Sequence, residues 1–291
     1  MAKAATEMRG GKTEIFVQRF SADDPTIIEP DTLAVEEPLE IRLGFDENGR
    51  STHRAVSITM RTPGNDFELA AGFLFTEGIL FSKHQITGIK HCGKFPAREN
   101  TVRIDLRAGE NVDLARLERN FYTTSSCGVC GKSSLEALVV TGARRISEKN
   151  FPRITAETIH DLPLKLRSAQ NIFDETGGLH AAALFEADGS LIALREDVGR
   201  HNAVDKLIGA GFLAGKLPLA DKILFLSGRA SFELVQKAVM AQIPIIAAVG
   251  APSSLAVAAA REFGVTLLGF VRDRRFNVYT KTERIIYETA S

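Results

Sequence analysis

Two cysteines three residues apart, Cys127 and Cys130, stand in the segment Phe121 to Val140, FYTTSSCGVCGKSSLEALVV. Gly128 and Gly131 each follow a cysteine and leave the backbone free to swing. Ser133 and Glu136 have the Ser-x-x-Glu spacing of a capping box ahead of an apolar run, which predicts a helix start near Ser134. The thiols therefore precede a helix N-terminus, whose partial positive charge, with Lys132 beside it, favours thiolate over thiol. Four chemistries suit such a pair. A structural zinc site would draw two more ligands from Cys92, His91 or another histidine. A dithiol could exchange with disulfides, although the pair does not follow the first strand of a small α/β domain. The thiols could be inert, or one could be a nucleophile that carries sulfur. Gly131-Lys132-Ser133 is not the end of a P-loop, because the first glycine of that motif would fall at Ser126.

A second group of residues suits an anion. Ser227-Gly-Arg229-Ala-Ser231, Gly250-Ala-Pro-Ser253-Ser254 and Arg272-Asp-Arg274-Arg275 each follow a strand-like run, and small hydroxyl residues at helix starts beside guanidinium groups match phosphate oxygens. Ordinary helix capping would use the same serines. Upstream, Asp197-Val-Gly-Arg-His201-Asn202-Ala-Val-Asp205-Lys206 packs polar side chains into one turn, and Thr176-Gly-Gly-Leu-His180 opens a strand; each histidine could equally be a hydrogen-bonded core residue.

The elements that must hold these residues are legible in outline. Glu40 to Phe45, Ala55 to Arg61 and Val102 to Leu106 read as strands, and Asp66 to Glu77 as an amphipathic helix facing them. Leu179 to Phe185 and Leu191 to Arg195 read as a hairpin, followed by a helix over 203–210. Lys222 to Leu226, Pro244 to Val249 and Val265 to Val271 alternate with helices, the rhythm of a parallel sheet, and Phe276 to Thr280 is a last strand. Ligands of such a sheet sit outside the carboxyl ends of its strands, where the three loops fall. The expected organisation is a tail over 1–14, a small α+β domain over 15–150 and an α/β domain over 151–291.

Composition limits the partners. The chain has 291 residues, 44% apolar, with 36 basic and 36 acidic side chains, so no global field recruits nucleic acid or an acidic membrane surface. Three cysteines do not make a disulfide framework and point to a reducing compartment, the cytoplasm. The uncharged run from Ala238 to Ala260 is long enough to span a membrane, but Gln242, Pro244, Gly250 and Pro252 divide it into a strand and a helix, and no membrane insertion is expected.

Taken together, Arg61-Thr-Pro-Gly64, Leu69 to Gly78, Ser125 to Lys132, Thr176 to Ala182, Glu196 to Lys206 and Ser227-Gly-Arg229 closely resemble the FdhD family, over nearly the whole chain beyond the tail. The resemblance implies a sulfurtransferase that accepts sulfane sulfur from a cysteine desulfurase as a persulfide. It passes that sulfur to the molybdenum bis-molybdopterin guanine dinucleotide cofactor of formate dehydrogenase, which is the bound substrate. It maps the persulfide onto Cys127, with Cys130 as the second thiol, and gives Cys92 no role. It assigns the guanine end, and hence a guanine nucleotide, to Phe270, Val271, Arg272, Asp273, Arg274 and Arg275; Arg229, Ser253 and His201 are added as cofactor-binding candidates. No resident metal is implied. The resemblance also implies a homodimer and a three-layer, cytidine deaminase-like fold for the C-terminal α/β domain, without deaminase chemistry, since no His-x-Glu precedes a Pro-Cys-x-x-Cys. The competing functions are a zinc-stabilised nucleotide-binding regulator and a dithiol oxidoreductase.

Overall fold

The computed structural model describes residues 11–20, 27–47, 49–93, 97–110, 142–147 and 151–287. Strands β1 (Lys12–Arg19) and β2 (Ile27–Ala34) form an antiparallel ribbon. Strands β3 (Glu37–Glu47) and β4 (Arg50–Arg61) are followed by helix α1 (Asp66–Thr76), β5 (Ile86–His91) and β6 (Thr101–Leu106). The four strands make a sheet in the order β4-β3-β6-β5, with β3 parallel to β6. Along β3, Leu39, Ile41, Leu43 and Phe45 are buried at alternate positions, the signature of a sheet with one face on the core. Leu69, Ala70 and Leu74 of α1 join them in that core.

The second part runs β7 (Ile154–Thr155), α2 (Ala156–Ala169), α3 (Asn171–Thr176), β8 (His180–Phe185), β9 (Leu191–Asp197) and α4 (Arg200–Leu213). It continues with β10 (Ile223–Leu226), α5 (Phe232–Met240), β11 (Ile245–Ala248), α6 (Ser254–Phe263), β12 (Thr266–Arg272), β13 (Arg275–Thr280) and β14 (Ile285–Ile286). Six strands form one sheet, β13-β12-β11-β10-β8-β9, in which β10, β11 and β12 are parallel. Leu224 and Leu226 of β10 face the core shared with α4, α5 and α6, whereas Ile223 and Phe225 face the core formed with α2. Burial on both faces explains why these strands are continuous apolar runs.

The expected strands, the hairpin and the helix over Asp66 to Glu77 are all present. The uncharged run is divided as expected, into β11 and α6, and no described helix is long and apolar enough to cross a membrane. Three expectations need correction or addition. Lys12 to Glu14, placed in the tail, belong to β1. Residues 156–169, for which no element was expected, form α2 with Pro163 inside it, because burial of Ile159, Leu162 and Leu166 outweighs the one backbone bond that proline removes. The loop after β12 turns directly into β13 through Asp273 and Arg274, both with positive φ, so no helix starts there.

The expected boundary near residue 150 lies at 148–150, outside the described residues, and the core runs across it. Ile41 and Leu74 from the first part share one buried cluster with Leu207, Leu234 and Phe263 from the second. The closest joint is the crossing of α1 over α4. A Cβ on Gly72 would lie 1.9 Å from the Asp205 carbonyl oxygen, and one on Gly209 would lie 1.9 Å from the Glu68 carbonyl oxygen. Only glycine at both positions lets the two backbones touch.

Candidate functional site

Strands β10, β11 and β12 end on one edge of the six-stranded sheet, and antiparallel β8 begins there with His180. Backbone hydrogen bonds knit the loops on that edge into a floor. Gly250 N–H donates to Gly228 O (2.9 Å), Ser253 N–H to Ala230 O (3.0 Å) and Phe270 N–H to Gly250 O (3.2 Å). Ser227 Oγ accepts from Ala181 N–H at 2.8 Å, which ties the first loop to β8. A Cβ on Gly250 would press on the Arg229 backbone at 3.1 Å, so glycine lets the two loops approach closely. Three separate sequence segments, around Arg229, Ser253 and Phe270, thus form one surface.

Cations and backbone strain concentrate on this edge. Arg229, Arg272, Arg274 and Arg275 are exposed, and the Arg272 guanidinium lies 6.0 Å from the centre of the Phe270 ring. Phe270 has φ 54°, a conformation that costs a bulky residue about 1–3 kcal/mol and marks the bulge that re-aims the strand before the arginines. Val271 is fully buried in the core with α2, so only its backbone faces the edge. Asp273 Oδ2 stands 3.9 Å from Arg272 Nε. Ser253 Oγ caps α6 by accepting from Ala256 N–H at 3.2 Å. Four guanidinium groups around a floor of small residues can hold phosphate oxygens.

His201 lies behind this edge, against a cavity of about 440 Å³ at the joint of the two parts. Its Nε2 is 3.2 Å from Ser231 Oγ and 3.8 Å from Glu233 Oε2. The His201 side chain holds the Glu233 carboxyl down at about 2, against the opposing effect of burial. Asp197, Asn202, Asp205 and Lys206 of this segment are held by buried bonds. Asp197 is buried, pairs with Lys206 at 2.7 Å, and accepts from Thr62 N–H, Gly199 N–H and Asn202 Nδ2. Lys206 Nζ also donates to Thr62 O. Asp205 pairs with buried Lys237 at 2.9 Å and accepts from Thr76 Oγ1. Burial raises the Asp205 carboxyl despite that lysine. Arg61 grips Asp66 through two 3.0 Å hydrogen bonds, fixing the end of β4 to the start of α1.

Cys127 and Cys130, with the helix expected near Ser134, fall outside the described residues. Exposed Cys92 follows β5, beside Arg42. Two residues to which the sequence assigned no role stand on the edge. Arg200 adjoins His180: burial, then the charges of Arg200 and His201, lower the His180 pKa. Gln170, between α2 and α3, is almost fully buried, and its Nε2 has no hydrogen-bond partner among the described residues. Arg200 stood inside a motif already singled out; Gln170 carried no sequence signal.

The model of the FdhD/NarQ family matches residues 34–286. The "Sulfur carrier protein FdhD" of Mycolicibacterium paratuberculosis is 54% identical over 264 residues, covering 89% of this chain and 93% of the relative. The protein of that name from Streptomyces coelicolor is 51% identical over 272 residues, covering 92% and 94%. A crystal structure from Desulfotalea psychrophila, described as a formate dehydrogenase accessory protein, has TM-score 0.70 and 24% identity, covering 94% of this chain and 99% of that one, and shares the fold.

Proposed function

Because the chain belongs to the FdhD/NarQ family, we propose that it is a sulfur carrier serving formate dehydrogenase. In this reading Cys127 takes sulfane sulfur from a cysteine desulfurase and delivers it to the molybdenum bis-molybdopterin guanine dinucleotide cofactor, bound as substrate at the sheet edge. The first step balances without an outside oxidant. The Cys127 thiolate attacks the outer sulfur of the desulfurase persulfide; an S–S bond forms at Cys127, the donor's S–S bond breaks, and the desulfurase cysteine leaves as thiolate. Cys130 stands by as the second thiol of the loop.

The observation that carries the cofactor half is the convergence of Arg229, Ser253 and the strained Phe270–Arg275 turn on one floor. Exposed guanidinium groups suit the cofactor's diphosphates, and a guanine nucleotide would occupy the same place. The sheet order, with α2 on one face and α4 to α6 on the other, supports a cytidine deaminase-like reading of residues 151–291. A cytoplasmic homodimer completes the proposal.

The direct test incubates the chain with a desulfurase and cysteine, then weighs the peptide that contains Cys127. Added sulfur on Cys127 is the expected result; none on that residue defeats the carrier reading.

A further inference from the structure

The sheet β4-β3-β6-β5 ends on β4, and among the described residues no strand pairs with the outer side of β4. Alternate residues of such an edge strand aim their backbone groups away from the sheet. Met60 is one of them: its carbonyl accepts from Asn202 Nδ2 of α4 at 2.7 Å, and opposite it on β3 stands Pro38, which has no N–H. Two residues earlier, Ile58 faces the same way, so its N–H and carbonyl and the Met60 N–H lie on the outer side. A row of this kind is a template for another strand, and proteins blunt it with charge or proline. From Val56 to Met60, β4 carries neither. The cavity of about 440 Å³ at the joint runs beside this stretch, between Ser57 to Met60 and the helices α1, α4 and α5. Leu69 and Phe73 make its wall apolar, and its charge is one-sided: carboxyl groups of Glu36, Glu77, Asp205 and Glu233 face one ammonium, Lys237, and the His201 imidazole. Lys237 is taken up by Asp205 at 2.9 Å and Glu77 at 3.3 Å. Glu36 is exposed and has no ion-pair partner among the described residues. On the other face of β4, the side chains of Ile58 and Met60 are 50% and 46% exposed.

We propose that an extended segment of a partner protein, alternating basic and apolar residues, adds to β4 as a further strand along this groove. Side chains alternate across a strand, so one set enters the cavity and the other covers Ile58 and Met60. Charge complementarity selects the first set: lysine or arginine lays its apolar stem over Phe73 and brings its cation to Glu36, Glu77 and Glu233. The exposed Ile58 and Met60 side chains select apolar residues for the second. Pairing of β4 with β4 of a second copy is opposed by the same charges, because two acid-lined grooves would face each other. The groove calls for a ligand of charge opposite to that suited to the arginine floor, so the inference goes beyond the carrier reading and does not rest on it.

The test titrates the full chain into short fluorescein-labelled peptides and follows their anisotropy. A peptide alternating lysine and valine is expected to bind. The same peptide with glutamate in place of lysine, or with alternate amides N-methylated, should bind at least about tenfold more weakly, the effect of losing charged or backbone hydrogen bonds. Ile58→Pro removes the outward N–H and spares the ladder with β3, a position that edge strands tolerate, and should weaken the lysine peptide about tenfold. Glu36→Gln combined with Glu233→Gln should weaken it by about as much. The proposal is overturned if the lysine peptide does not bind, or if N-methylation leaves its affinity unchanged, since the contact is then charge alone. It is equally overturned if Ile58→Pro keeps the wild-type far-UV spectrum and binds as wild type does. Should Ile58→Pro fail to fold, the N-methylated peptide and the glutamate variants decide. A dimer in sedimentation that Ile58→Pro splits would give the edge to a second copy and refute the partner segment. Sulfur loading of Cys127 is read separately: loading without peptide binding defeats only the groove, and peptide binding without loading defeats only the carrier.

Discussion

Asp197 and Lys206 meet at 2.7 Å with both side chains buried, and each also bonds the backbone of Thr62 in the other part of the molecule. The pair is the pin that fastens the start of α4 to the end of β4. Its polar density reads as a binding site in the sequence, yet its atoms are consumed by one another.

Lys206→Met leaves the Asp197 carboxylate buried without its cation, and removal of one partner of such a pair costs about 3–5 kcal/mol. Urea unfolding should show that loss, and the double variant Asp197→Asn/Lys206→Met should recover part of it. A single variant that unfolds at the wild-type midpoint would refute the pin.

Gly72→Ala and Gly209→Ala each drive a methyl into a carbonyl of the facing helix. Forced overpacking costs about 1–3 kcal/mol, and a backbone neighbour cannot move aside as a side chain would. Thermal denaturation should place both variants well below wild type. Gly211→Ala, where the new methyl would meet only the side chains of Leu217 and Leu219 at 3.6 Å or more, is the mild control.

Glu233 supplies a pH dependence. Its folded pKa, about 2, lies below the ordinary 4.5, so its stabilising contribution is complete above about 4.5 and is lost as pH falls toward 2. The 3.8 Å separation from His201 and a side chain 59% exposed keep the effect to about 0.5 kcal/mol. Stability of wild type minus Glu233→Gln, followed by urea titration, should shrink between pH 5 and pH 2; a gap that widens there contradicts the pairing.

Arg272→Ala and Arg274→Ala remove charged donors from the turn, and hydrogen bonds to charged groups are worth about 1.5–3 kcal/mol. Each variant should therefore bind GDP at least about tenfold more weakly, with a shallower dependence on salt. Binding unchanged in both would move the phosphates elsewhere.

Among the cysteines, Cys127→Ala should abolish sulfur loading, whereas Cys92→Ser should retain it, because Cys92 is an exposed residue at the end of β5. Loss of loading in Cys92→Ser alone would reassign the carrier.

What the sequence determined by itself was the period and order of its elements. Alternation along β3, helical spacing in α1 and the uncharged βαβ rhythm of 222–271 are local signals, and they suffice to place the three loops on one edge. The β1–β2 ribbon and α2 escaped because their stability is not local: the ribbon is held by cross-strand pairing, and α2 tolerates Pro163 only through its buried face. Tertiary structure alone decided which polar residues remain free. Asp197 and Lys206 are spent on Thr62, 135 and 144 residues away along the chain, so their motif is a joint. Gln170, unremarkable in sequence, is buried at the break between α2 and α3, with its Nε2 unpartnered among the described residues. Side-chain availability is set by what folding brings within hydrogen-bond distance, and neither spacing nor residue type encodes that.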